Sequence, residues 1–169
     1  GIHSFTVIGS YGTGKSSFLL ALEKNLLGDD SVNLLNPHTL STNGKFEVLK
    51  MVGDYKDLAS LMRDKLQIDG PETNVLDNLR EIYGRVKKQG KFLVILIDEF
   101  GKVLEHAAKK NPEQELYFMQ KLAEFVNVTT RQILLITTLH QNFSSYARKL
   151  TDVQKEEWTK VKGRFKELV

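Results

Sequence analysis

Phe5-Thr6-Val7-Ile8-Gly9-Ser10-Tyr11-Gly12-Thr13-Gly14-Lys15-Ser16, followed by Ser17-Phe18-Leu19-Leu20-Ala21-Leu22, passes from a short apolar run through a glycine-rich bend into a longer apolar stretch. Phe5 to Ile8 has the length and character of a strand, and Lys15 to about Leu27 that of a helix. Phe18-Leu19-Leu20-Ala21-Leu22 is apolar nearly all round, which predicts a helix packed between a sheet and its neighbours. The bend from Gly9 to Ser16 has the spacing GxxxxGK[ST], in the strand–turn–helix setting that gives this spacing meaning.

The residue types in the bend suit phosphate. Glycines let the backbone curl with its N–H groups inward, a nest for anionic oxygens at a helix N-terminus. Gly9, Ser10, Tyr11, Gly12, Thr13, Gly14, Lys15, Ser16 and Ser17 are therefore the candidate phosphate-binding residues. Lys15 adds a mobile positive charge for the β- and γ-phosphates, and Ser16 offers a hydroxyl to Mg²⁺, a hard ion that prefers oxygen ligands. A glycine-rich turn that binds nothing is the plain alternative, and the complete spacing in its proper setting weighs against it.

Outward from this unit, short apolar runs alternate with helical stripes. Phe46 to Val52 alternates as a second strand, after an irregular approach from Asn33 to Gly44. Leu58, Leu61, Met62 and Leu66 space as a short helix. Asp69-Gly70-Pro71-Glu72 reads as a turn into a helix with Val75, Leu76, Leu79, Ile82, Tyr83 and Val86 on one face, ended by Gly90. Phe92 to Ile97 is six apolar residues in a row, suited to a central strand. Asn111-Pro112-Glu113 opens another helix with a capping residue, proline in the first turn and an acid after it. Its stripe of Leu116, Met119, Leu122, Ala123 and Val126 reads as core. Ile133 to Ile136 is the next buried strand. Thr151-Asp152-Val153-Gln154 has capping-box spacing and opens a last helix on Trp158, Val161 and Phe165. This alternation predicts an α/β fold, a parallel sheet covered on both faces in a three-layer α/β/α sandwich.

Composition agrees. The 169 residues suit one domain with a real core, and 41% hydrophobic with 27% charged residues is an ordinary globular balance. With no cysteine, a disulfide scaffold, a thiol nucleophile and a cysteine-ligated metal are excluded. Twenty-four Lys and Arg against 21 Asp and Glu, a formal +3, is no argument for nucleic acid by itself. No run of about 18 apolar residues is present to span a membrane, and Ile2 to Ile8 lacks the form of a secretory signal, so a cytoplasmic location is expected. The chain starts inside an apparent strand and stops at Val169 where another is beginning, the pattern of a piece cut from a larger protein.

With these residues in view, the chain resembles the P-loop NTPases, and Gly9 to Ser16 is similar to their Walker A motif. Phe92-Leu93-Val94-Ile95-Leu96-Ile97-Asp98-Glu99 is similar to Walker B, an apolar strand ending in two acids. The resemblance implies that Asp98, at the strand's carboxyl end, holds Mg²⁺ through water and that Glu99 is the general base. A solvated turn, or acids facing a helix dipole, is the alternative for the same pair. A glutamate beside the aspartate is found in the branch that has an extra strand between the two Walker strands, the branch of AAA+ and STAND ATPases. About eighty residues between the loop and Asp98 leave room for that strand. The implied sheet order is 5-1-4-3-2, with the fifth strand truncated and Ile133 to Ile136 beside the first.

In the resembling families a polar residue at the end of the fourth strand contacts the γ-phosphate or the attacking water. In Ile136-Thr137-Thr138-Leu139-His140-Gln141-Asn142 the first choice for this sensor is Thr138 and the second Thr137, with Gln141 and Asn142 also credible. Threonine is equally an ordinary strand residue. Lys162-Gly163-Arg164-Phe165 is similar to the Gly-Arg-Phe before the fifth strand of many AAA+ proteins, which makes Arg164 the candidate arginine finger for a neighbouring subunit. Arg131 and Arg148 are weaker candidates, and a solvated surface arginine is the alternative for all three.

Two departures qualify the resemblance. Thr137-Thr138-Leu139 stands where STAND proteins have Thr-Thr-Arg, and the helical lid with its second sensor arginine is absent from residues 1–169. Asp98-Glu99-Phe100-Gly101-Lys102, the Leu116-Tyr117-Phe118 helix and the Thr137-to-Gln141 strand end also look like large ATPases of bacterial anti-phage islands.

The implied function is an ATP-binding, Mg²⁺-dependent ATPase core within a larger, homo-oligomeric protein. The alternative is a STAND or origin-recognition type switch with slow hydrolysis. Glu99 and the lack of an arginine-rich lid disfavour a small-molecule kinase. No NKxD-like motif distinguishes GTP from ATP. His3, His38, His106 and His140 show no metal-ligand spacing and read as ordinary surface or polar-core histidines. Lys87, Lys88, Lys91, Lys109 and Lys110 read as a solvated face, which leaves nucleic acid open as a partner.

Overall fold

The computed structural model describes residues 2–10, 12–29, 31–41, 43–68 and 74–169. Tyr11 and the turn expected at Asp69 to Glu72 lie outside the described residues. The strands are β1 (Ser4–Ile8), β2 (Phe46–Val52), β3 (Phe92–Asp98), β4 (Ile133–Leu139) and β5 (Lys166–Leu168). The helices are α1 (Lys15–Leu26), α2 (Leu58–Lys65), α3 (Val75–Lys88), α4 (Phe100–Lys109), α5 (Pro112–Val126) and α6 (Asp152–Lys162).

All pairings in the five-stranded sheet are parallel, and its order from the β5 edge is 5-1-4-3-2. This is the expected three-layer α/β/α sandwich with a parallel sheet. The strand between β1 and β3 is β4, which follows Asp98 in the chain. The eighty residues before Asp98 supply β2 instead, and β2 takes the far edge beside β3. Sequence length left room for an inserted strand there, but the strand that fills the gap between β1 and β3 comes from residues 133–139, so β3 is flanked by β2 and β4.

Every residue of β3 is buried, which is why it reads as an unbroken apolar run. Its side chains alternate between two cores. Leu93, Ile95 and Ile97 join a large core with residues of α2 through α6. Phe92, Val94 and Leu96 join a smaller one with Leu19, Leu22 and Leu26 of α1. Burying each of those leucines contributes about 2 kcal/mol. The expectation that α1 is enclosed on all sides is corrected: Phe18 and Leu20 are 42% and 43% exposed. Among the described residues, α1 is the helix that contributes to the smaller core, and no described helix packs on its outer side.

Other boundaries moved for local reasons. Asn111 adopts φ 46° and makes no side-chain cap, so its role at the start of α5 is a left-handed turn out of α4 rather than the expected cap. Helix α4 was not anticipated, although Phe100, Val103, Leu104 and Ala107 keep helical spacing and are all buried. Strand β4 runs on through Thr137, Thr138 and Leu139. The capping box at Thr151 and Gln154 is formed as expected.

Candidate functional site

Parallel strands bring their carboxyl ends to one edge, and the glycine-rich loop leaves β1 there. The Gly9 N–H donates to Leu139 O at 3.0 Å, pinning the start of the loop to the end of β4. Gly12 and Gly14 take φ of 79° and 85°, the left-handed region that side chains disfavour. Thr13 Oγ1 donates to Ser10 O at 2.7 Å and closes the bend. Helix α1 then starts at Lys15 without a side-chain cap, so its first N–H groups face the loop's concave side. Lys15 Nζ hydrogen-bonds the Gly9 carbonyl, Ser10 O at 2.8 Å and Thr13 Oγ1 at 3.4 Å, folded across the same hollow.

The acidic pair arrives from β3. Period-two alternation puts Asp98 on the face of Val94 and Leu96, the side that α1 covers. There it meets the loop: Gly12, Gly14, Lys15, Ser16, Ser17, Asp98, Glu99 and His140 line one cleft of about 240 Å³. Burial pushes the Asp98 carboxyl up, but the hydroxyls of Ser16 and Thr138, the Glu99 N–H and the nearby Lys50 charge outweigh it and hold it below its ordinary value. Asp98 is therefore an ionised oxygen donor facing the Ser16 hydroxyl.

Glu99 takes φ 52° and ψ 42°, a left-handed conformation costly for a side-chain-bearing residue. Hydrogen bonds keep it there. Its N–H donates to Asp98 Oδ1 and to Thr138 Oγ1, both at 2.9 Å, while the Gly53 N–H holds Asp98 O at 2.7 Å. The turn ends β3, starts α4 and leaves the Glu99 carboxylate on the cleft, 2.7 Å from Lys102 Nζ.

The polar run at the end of β4 divides by face. Thr137 is buried; its Oγ1 donates to Phe5 O at 3.3 Å and can accept from the Thr6 hydroxyl at 3.2 Å, stitching β4 to β1. Thr138 is buried and its Oγ1 donates to Asp98 Oδ1 at 2.6 Å. Gln141 is exposed, and Asn142 caps the following turn by accepting from Ser145 N at 2.9 Å. His140 is the member of this run that lines the cleft. Reading it as an ordinary histidine missed this. Extending the strand period from Thr138 by two residues would have put it on the Asp98 face.

The arginines lie elsewhere. Arg164 Nη2 pairs with Glu124 Oε1 at 2.9 Å just before β5, and Arg131 Nη1 donates to Phe125 O at 2.6 Å just before β4. Both sit at the amino ends of their strands, opposite the cleft within this chain. Arg148 is exposed.

The donor set fits magnesium held with phosphate. Among the described residues no three acidic, histidine or cysteine side chains gather into a metal cage. One hydroxyl and one carboxylate at a phosphate nest is the arrangement expected of Mg²⁺, which keeps waters and takes phosphate oxygens as its other ligands. A larger groove of about 740 Å³ is lined mainly by apolar side chains such as Phe5, Val7, Phe18, Leu22 and Ile136, with His3 and Arg131 among its polar members.

No protein-family model matches the chain, and no curated protein does. Solved structures do. The ORC2 protein of Aeropyrum pernix, in ADPNP–ADP complexes, superposes over 98% of this chain with a TM-score of 0.56 at 17% identity. Its ADP form superposes over 99% with a TM-score of 0.55, also at 17% identity. Cdc6p of Pyrobaculum aerophilum matches over 97%, TM-score 0.50, at 12% identity. The chain spans 42%, 43% and 38% of those proteins' lengths, respectively. At such identities the likeness is one of fold. Among the described residues no helix is long and apolar enough to cross a membrane.

Proposed function

We propose that residues 1–169 form the core domain of a Mg²⁺-dependent ATPase that works within a larger, homo-oligomeric protein. The observation that carries the proposal is the meeting of Ser16 and Asp98 in one cleft, with Glu99 beside them and the glycine cradle opposite. The backbone N–H groups of the loop hold phosphate oxygens, and Lys15 swings from the Gly9 and Ser10 carbonyls to the β- and γ-phosphates. Ser16 and Asp98 hold Mg²⁺, which neutralises charge on the triphosphate when bound. Glu99 takes a proton from the attacking water as its oxygen bonds to the γ-phosphorus and the bond from that phosphorus to the β,γ-bridging oxygen breaks, ADP leaving with the electron pair. His140 takes the sensor position facing the γ-phosphate, and Thr138 acts from behind Asp98. Arg164 serves as a finger only towards a neighbouring subunit, since it faces away from its own cleft.

The test is Glu99→Gln. Nucleotide affinity should stay within about threefold while turnover falls by about 10²–10⁴-fold. Undiminished hydrolysis would remove Glu99 from the chemistry. A second reading, a nucleotide switch of origin-recognition type with slow hydrolysis, is favoured by the fold shared with ORC2 in its ADPNP–ADP and ADP forms. Single-turnover hydrolysis far slower than nucleotide-driven change in oligomer mass would select it.

A further inference from the structure

Lys102 lies one helical turn beyond Glu99, and the i,i+3 spacing brings its Nζ to 2.7 Å from Glu99 Oε2. The same ammonium sits 5.9 Å from the centre of the Tyr55 ring, in the segment between β2 and α2, and within the field of Asp54. That segment is tied to the catalytic turn. The Gly53 N–H bonds Asp98 O, and a Cβ on Gly53 would stand 2.2 Å from Glu99 O. Backbone hydrogen bonds already fix where Glu99 is. The ion-pair partner of its carboxylate is Lys102.

A carboxylate that takes a proton from water needs an open lone pair aimed at that water. An ammonium in contact with Oε2 takes up one of the carboxylate's lone-pair sites and turns the group towards itself. We propose that Lys102 is a latch on the general base, a positioning residue that draws the Glu99 carboxylate to the Tyr55 side of the cleft and holds basal turnover down. Asp54 and Tyr55 give the ammonium a second anchorage, so it can leave Glu99 without losing all its partners. The latch is reached from outside the phosphate cradle, since Tyr55 is 58% exposed and the Lys102 and Glu99 side chains are 36% and 31% exposed. An ion pair so open to solvent holds only a small bias, about two- to fivefold in turnover. The inference rests on Glu99 being the general base.

The experiment compares steady-state ATP hydrolysis by the full chain with that of Lys102→Met, Lys102→Gln, Lys102→Arg, Glu99→Gln and Glu99→Gln/Lys102→Met. Neutralising Lys102 should raise kcat about two- to fivefold with KM for ATP within about twofold. Lys102→Arg, which keeps the charge, should stay near the parent. The double variant should be as inactive as Glu99→Gln alone. Lys102→Gln keeps a polar side chain of similar reach and carries the reading if the Met variant does not fold. An unchanged or lowered kcat in folded neutral variants overturns the latch while leaving Glu99 as base. Parental turnover in Glu99→Gln overturns the base assignment and the latch with it.

Discussion

Thr138 donates its hydroxyl proton to Asp98 Oδ1 at 2.6 Å and accepts the Glu99 N–H on the same oxygen at 2.9 Å. One buried side chain on β4 thus sets both acids of β3. Strand pairing makes this possible: Ile97 lies opposite Thr137, so the next residues of both strands emerge together on the α1 face.

Thr138→Val keeps the shape and removes both bonds. A hydrogen bond to a charged group is worth about 1.5–3 kcal/mol, so turnover should fall about ten- to a hundredfold. Thr138→Ser should keep most of it. Equal activity in the valine and serine variants would separate Thr138 from the acids.

Gly53→Ala tests the other support of the same turn. Its Cβ would meet Glu99 O at 2.2 Å and Asp98 O at 3.2 Å, both backbone atoms that move only with the turn. Thermal denaturation should report a loss of about 1–3 kcal/mol, with turnover falling alongside. Lost stability with full turnover would show that Gly53 packing does not place Glu99.

Asn127 ties the amino ends of the β1 and β5 strands together. Its Oδ1 accepts from His3 N at 2.8 Å and Ser4 Oγ at 3.0 Å, and its Nδ2 donates to Arg164 O at 2.9 Å. Asn127→Leu strands those partners and should cost about 1–3 kcal/mol in urea unfolding, without altering nucleotide affinity measured below the transition.

Glu115 gives stability a pH dependence. Burial, and then the Asp57 charge, push its carboxyl up to about 7, against the pull of the Leu58 N–H. The folded chain therefore binds more protons than the unfolded chain between the ordinary 4.5 and about 7. Stability should fall as pH rises through that window and level off above it. The carboxyl is only partly buried, so solvent screening limits the change to about 1 kcal/mol. In Glu115→Gln this component of the slope should vanish, and the variant should melt higher than the parent at pH 8. An unchanged difference between parent and variant from pH 5 to 8 would refute it.

Much of this was legible from residue order. Local chemistry dictates a left-handed Gly12 and Gly14, a helix starting at Lys15, a capping box at Thr151 and a doubly buried strand from Phe92. These depend on neighbours within a few positions, where backbone sterics and side-chain period act directly. Helix α4 was hidden by its position. Its buried stripe follows the acidic pair without a capping residue, because Glu99 turns the chain by a left-handed backbone that adjacent residues do not announce.

Sequence by itself determined the glycine-rich loop, the α/β alternation and the acids of β3, since each is written in consecutive residues. Tertiary structure alone decided which polar residue after Ile136 faces the cleft, which threonine braces Asp98, that Lys102 holds Glu99, and that Arg164 points the other way. The reason is physical. A strand's period places a side chain on one face or the other, but what waits on that face is brought there by a neighbouring strand some forty positions away in the chain.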